Sequence, residues 1–246
     1  MNIIRVENYE EMSKEAAGYI LKKLRENPRI TLGLATGGTP TGTYQHLIED
    51  HLKNGTSYKD VSTVNLDEYI GLNPDHPNSY RFYMNDALFN HIDIPLEQTY
   101  VPQGNAVDCQ EECERYEKLI KNLGGIDLQL LGIGSNGHIG FNEPGTEFGS
   151  RTHIIDLEPS TREANARFFA SLEEVPEKAI TMGIASIMKS REILLLISGA
   201  SKKEAMVQLL HGEVTEKFPA SILQLHPNVT IIADEEALGL EADSRD

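Results

Sequence analysis

Short apolar runs alternate with segments of helical period along the whole chain, and this alternation leaves few architectures open. "ITLGLA" (Ile30 to Ala35), "DLQLLGI", "EILLLIS" and "VTIIAD" are apolar at successive positions. Strands of that kind need cover on both faces, as strands inside a parallel sheet have. "VSTVNL", "HIIDL" and "AITMGI" read as further strands. Between them, Met12, Ala16, Ile20 and Leu24 recur at helical spacing until Pro28. "TYQHLIEDHLKNG", "SYRFYMNDALFNHI", "CQEECERYEKLIKNLG", "TREANARFFA" and "SKKEAMVQLLHG" also read as helices. The expected fold is α/β, one domain over residues 1–246, with a mostly parallel sheet and helices on both faces. The acidic end, from about residue 236, is expected to be flexible. Ligands in such sheets sit beyond the carboxyl ends of the strands. The loops after Ala35, Leu66, Ile133 and Ser198 are therefore the ones that matter.

Charge narrows the partners. The net charge of −16 over 246 residues disfavours nucleic acid and anionic membrane surfaces. No apolar run reaches a spanning length, and "MNIIRVENYEEMSKEAAG" lacks a secretory pattern, so a cytoplasmic protein is expected. The cysteines, Cys109 and Cys113, lie four apart on a helical segment. A metal site needs further ligands, so they read as two small, partly buried thiols.

"LQLLGIGSNGHIGFNEPG" contains Gly132-x-Gly134-x-x-Gly137 after a strand, the spelling of a dinucleotide turn. Such a turn must open directly into a helix that holds the pyrophosphate. Here Gly140, Pro144 and Gly145 work against a helix. The glycines instead suit a bent loop that aims Asn136, His138 and Glu143 into a cleft. A histidine with an acid nearby is apparatus for acid–base catalysis. "LATGGTPTG" offers a Gly-rich loop with Thr36 and Thr39, suited to a phosphate monoester or to an ordinary turn. It is not a GxxxxGK[ST] loop. In "NLDEYIGL", Asp67 and Glu68 alternate in direction on an extended chain, so one of them faces the cleft and could take a carbon-bound proton. Lys202 or Lys203, with Arg162 and Arg167, could complete an anion site.

The order of "TGGTPTGTY", "NLDEYIGL", "HPNSY", "GIGSNGHIGFNEPG", "SRT", "TREANARFF" and "LQLHP" resembles the glucosamine-6-phosphate deaminases over most of the chain. The resemblance implies a modified Rossmann-like fold, as in the sugar-phosphate isomerase/deaminase superfamily. It implies conversion of glucosamine 6-phosphate and water into fructose 6-phosphate and ammonia, with no metal or organic cofactor. By motif, Asp67 would move a proton between C2 and C1, His138 would assist ring opening, and Glu143 would orient His138. Thr36, Gly37, Gly38, Thr39, Arg167 and Lys202 would hold the phosphate. Many members have aspartate where this chain has Asn136, which belongs to the group orienting His138. An amide accepts a hydrogen bond without supplying charge, leaving Glu143 as the acidic member. The related phosphogluconolactonases share the Gly-rich turn but differ at "IGFNEPG"; a non-catalytic sugar-phosphate sensor would lack the base or the histidine.

The resemblance also bears on regulation. Members switched on by N-acetylglucosamine 6-phosphate carry basic residues after "SRT", where this chain has His153 and Ile155. A non-allosteric, monomeric enzyme with hyperbolic kinetics is the expectation.

Overall fold

In the computed structural model the described residues are all but Glu158, Arg167, Phe168 and residues 241–246. Ten strands and eight α-helices are present among the described residues, mostly in alternation. The strands are β1 (Asn2–Val6), β2 (Thr31–Leu34), β3 (Ser62–Asn65), β4 (Asp67–Tyr69), β5 (Thr99–Tyr100), β6 (Leu128–Leu131), β7 (His153–Asp156), β8 (Lys178–Thr181), β9 (Glu192–Ile197) and β10 (Val229–Asp234). The helices are α1 (Tyr9–Glu26), α2 (Gly38–Asn54), α3 (Tyr80–Ala87), α4 (Cys109–Asn122), α5 (Pro159–Asn165), α6 (Ile184–Met188), α7 (Lys203–His211) and α8 (Glu235–Leu238).

Seven strands form one parallel sheet in the order β1-β10-β9-β6-β2-β3-β5. The apolar runs explain themselves in it. Leu32, Leu34, Leu128, Leu130, Leu194 and Leu196 point into a core shared with α1, α2 and α3. Leu131, Ile193, Leu195, Ile197 and Ile231 point the other way, into a core shared with α4, α6 and α7. Alternate residues of one strand thus serve two cores, and even the polar residues on these strands, Gln129 on β6 and Thr230 on β10, are buried.

Not every expected strand joins this sheet. β7 and β8 pair antiparallel with each other, and β8 with β4, in a separate three-stranded sheet. The chain crosses from one sheet to the other at Leu66. Its N–H donates to Leu34 O (3.2 Å) and its carbonyl accepts from Met182 N (2.7 Å). The end expected to be flexible from about residue 236 lies in part, from 241 on, outside the described residues, and its first residues are helical. Glu235–Leu238 is a turn of helix capped by Asp234, whose carboxylate accepts from Ala237 N at 2.8 Å, and Ala237 is buried. Among the described residues, no helix is long and apolar enough to cross a membrane.

Candidate active site

The strand order reverses at β2. From there the chain steps to β3 and β5 on one side, and later to β6 and β9 on the other. The loops after β2 and β6 must diverge at this point, which opens a crevice. A cleft of about 810 Å³ lies there, and its walls include Thr36, Gly37, Gly38, Thr39, Asp67, Asn136, His138, Glu143 and Lys202. Nine of the ten residues to which the resemblance gives a role meet in one cavity. The tenth, Arg167, lies outside the described residues. Arg162 is committed elsewhere, donating to Leu172 O (3.2 Å) and Val175 O (3.0 Å).

The Gly-rich loop ends at Gly37, whose φ of 95° is open to glycine and strained for other residues. α2 starts at the next residue, and no side chain caps its N-terminus. Its first N–H groups therefore face the cleft at the positive end of a 17-residue helix, as an anion requires. Tyr9 steadies this turn by donating to Gly38 O (2.7 Å) and accepting from Gly42 N (3.0 Å). Across the cleft, Lys202 Nζ donates to Ile133 O at 2.8 Å. Burial holds its ammonium below the usual lysine range. The preceding turn is fixed by buried Asp234, whose carboxylate accepts from Ser198 Oγ (2.5 Å) and Gly199 N (3.1 Å).

The loop after β6 is no helix. Gly137 has φ 85°, and its carbonyl accepts from Ala220 N at 2.8 Å. A Cβ on Gly134 would lie 2.1 Å from His138 Nδ1, so glycine there makes room for the imidazole. Asn142 pins the loop by donating to Ile139 O (2.9 Å) and Met182 O (2.8 Å). His138, Asn136 and Glu143 form a chain of hydrogen bonds. Asn136 Nδ2 donates to Glu143 Oε2 (2.7 Å), and Asn136 Oδ1 faces His138 Nδ1 (2.8 Å). The directions follow from chemistry. A carboxylate only accepts, so the amide NH₂ must face Glu143 and the amide oxygen must face the ring. His138 therefore carries its proton on Nδ1 and leaves Nε2 as a base. Burial lowers its pKa; the Glu143 charge opposes this and Lys202 adds to it. The amide at position 136 relays orientation from Glu143 without its charge.

Asp67 opens β4 opposite Thr181 and is almost wholly buried. Burial, with a smaller contribution from the Glu68 charge, pushes its carboxyl up to about 8. Glu68 points the other way, as strand alternation requires. Two wall residues carry no expectation from sequence. Tyr80 stacks on Phe141 with centroids 6.1 Å apart, and Asn165 donates to Tyr69 OH at 2.9 Å. The "HPNSY" and "TREANARFF" motifs contain Tyr80 and Asn165, and that was the only available signal.

The comparisons with known proteins follow the same lines. The glucosamine-6-phosphate isomerase/6-phosphogluconolactonase family profile matches residues 7–232. A glucosamine-6-phosphate deaminase of Geobacillus sp. (strain WCH70) is 63% identical over 245 residues, 100% of this chain and 98% of that protein. A solved monomeric glucosamine-6-phosphate deaminase superposes with a TM-score of 0.95 at 54% identity, covering 98% of this chain and 100% of the other. The 6-phosphogluconolactonase of Trypanosoma brucei shares the fold at a TM-score of 0.80 and 20% identity, with 98% of both chains covered. The chain belongs to the glucosamine-6-phosphate isomerase/6-phosphogluconolactonase family.

Proposed function

We propose that this chain is a glucosamine-6-phosphate deaminase, with the reacting carbons beside Asp67 and the phosphate at the opposite end of the cleft. The observation that carries the reading is a buried carboxyl with no hydrogen bond from the described residues to offset its burial, lining the same cavity as an imidazole of fixed tautomer. The high identity to named deaminases supports it.

The phosphate sits against the N–H groups that open α2, the Thr36 and Thr39 hydroxyls, and Lys202; Arg167, outside the described residues, is a further ligand by motif alone. Its binding energy is remote from the chemistry and holds C1 and C2 in place. His138 Nε2 takes the proton of the anomeric hydroxyl and passes it to the ring oxygen, which leaves C1 as the C5 hydroxyl. Ionised Asp67 removes the C2 proton and returns it to C1, while a proton of the amine passes to O1, leaving a hydroxyl at C1 and an imine at C2. Water adds to that carbon and ammonia leaves, giving fructose 6-phosphate. A base poised near neutrality can both take and return a proton, which a carboxylate of ordinary pKa does poorly. Fixing the neutral tautomer at Nδ1 keeps Nε2 ready for the first step.

The test is an assay of the purified protein for ammonia and fructose 6-phosphate from glucosamine 6-phosphate. Hydrolysis of a phosphogluconolactone without ammonia release from the amino sugar would replace this reading with a lactonase.

A further inference from the structure

The carboxylate next to the proposed base has its own arrangement. Glu68 is buried in the back of β4, and both of its oxygens accept main-chain hydrogen bonds. Oε1 takes Tyr69 N and Tyr80 N, and Oε2 takes Arg81 N, each at 2.9 Å. Tyr80 and Arg81 are the first two residues of α3, and Ser79 Oγ caps the third N–H, that of Phe82, at 3.0 Å. A helix leaves its first N–H groups without internal partners. Here a residue twelve positions upstream supplies what the local cap does not reach. Burial raises the pKa of this carboxyl, and the three main-chain N–H groups oppose that by favouring its ionised form. The loop at Gly104 closes over it: a Cβ there would meet Tyr69 O at 1.8 Å and Glu68 Cγ at 3.2 Å.

Two walls of the cleft meet at this carboxylate. Asp67 precedes it on the strand, and Tyr80 lines the cavity from the helix it caps. Tyr80 also packs on Tyr69 with ring centroids 4.8 Å apart. We propose that Glu68 is a positioning residue for the isomerisation, joining β4 to α3 so that the Asp67 carboxyl and the Tyr80 ring keep a fixed relation across the substrate. Its fixed negative charge has a second effect, making the neighbouring Asp67 harder to ionise. Among the described residues, Tyr69 and Tyr80 lie close enough to Asp67 to feel its charge, His138, Glu143 and Lys202 line the same cleft, and Arg81 faces Glu68 from α3.

The proposal rests on the deaminase reading, which fails separately if the wild-type protein releases no ammonia from glucosamine 6-phosphate. The experiment is the pH dependence of kcat/KM for ammonia release by wild type, Glu68→Gln and Ser79→Ala, with thermal unfolding of each. Substrate titration is common to all three and cancels. Glu68→Gln is expected to move the acid limb to lower pH by about half a unit or more and to lower kcat by about 10-fold. Ser79→Ala removes a local cap from the same helix, so it is expected to lower stability and leave the acid limb in place. An unmoved limb in Glu68→Gln, or an equal displacement in Ser79→Ala, overturns the proposal. If Glu68→Gln does not fold, Glu68→Asp decides. It keeps the charge and loses the reach to α3, so the limb should stay while kcat falls, and unchanged kcat overturns the proposal.

Discussion

At the scale of single residues, Asp67 combines stability and function with opposite signs. Its carboxyl in the folded protein, at about 8, is raised well above the ordinary aspartate value of 3.8. The folded state thus holds a proton that the unfolded chain gives up, so this residue's contribution to stability is full below about pH 4 and is lost as pH rises toward 8. Asp67→Asn removes that dependence. The variant is expected to lose at least ~10²-fold in turnover. It should also melt higher than wild type at pH 8, by roughly 2–4 °C per kcal/mol regained, with a smaller difference at pH 5. Paired activity and melting curves at both pH values check this. Glu143 acts on His138 in a different way. Its charge raises a histidine pKa that burial lowers. Glu143→Gln should therefore move the His138 titration further down, measured by NMR of the ring. An upward movement would contradict the hydrogen-bond directions assigned to Asn136.

At the scale of elements, the site is two loops and a strand end held by glycines whose roles differ. Gly37 supplies a positive φ before α2, whereas Gly134 supplies space for an imidazole. Gly134→Ala is expected to leave the circular dichroism unchanged and to lower turnover by about 10²-fold, because the ring must move by about 1 Å or more. Wild-type turnover would show that His138 can work from another position. The elements also explain what sequence could reveal. β2, β6, β9 and β10 were legible because both of their faces are buried. β1 was not, because an edge strand with Arg5 in it has little apolar pattern. β4, three residues reading "DEY", has no strand signature at all. It exists through pairing with β8 and through Glu68 on its far face, both of which are tertiary. Alternation showed that one of Asp67 and Glu68 faces the cleft, and the motif resemblance pointed to Asp67, but the capping partner of Glu68 was not legible, since nothing local links position 68 to position 80.

At the scale of the whole molecule, the alternation of strands and helices specified the parallel sheet, but the second sheet was hidden. β7 and β8 have strand composition wherever they pair, and only topology assigns them to the sheet that carries Asp67. Regulation belongs to this scale too. His153 and Ile155 lie on β7, and His153 Nδ1 donates to Arg151 O at 2.7 Å. An isoleucine offers nothing to a phosphate, and a neutral histidine is no fixed cation. An effector shifts an equilibrium only by binding one state better. The prediction is a hyperbolic substrate titration that N-acetylglucosamine 6-phosphate leaves unchanged. A sigmoidal curve made hyperbolic by that ligand would overturn it.

The pairing of β1 with β10 has a consequence for how the protein is made. β1 has as its sheet neighbour a strand that begins at Val229. It is translated long before it has an edge to join and waits until β10 has been made. A short segment with a charged residue is a poor template for other nascent chains, and "NIIRV" fits that wait. β1 therefore cannot join the sheet before β10 exists. A premature stop anywhere before Val229 leaves β1 with no neighbour and β9 with a bare edge.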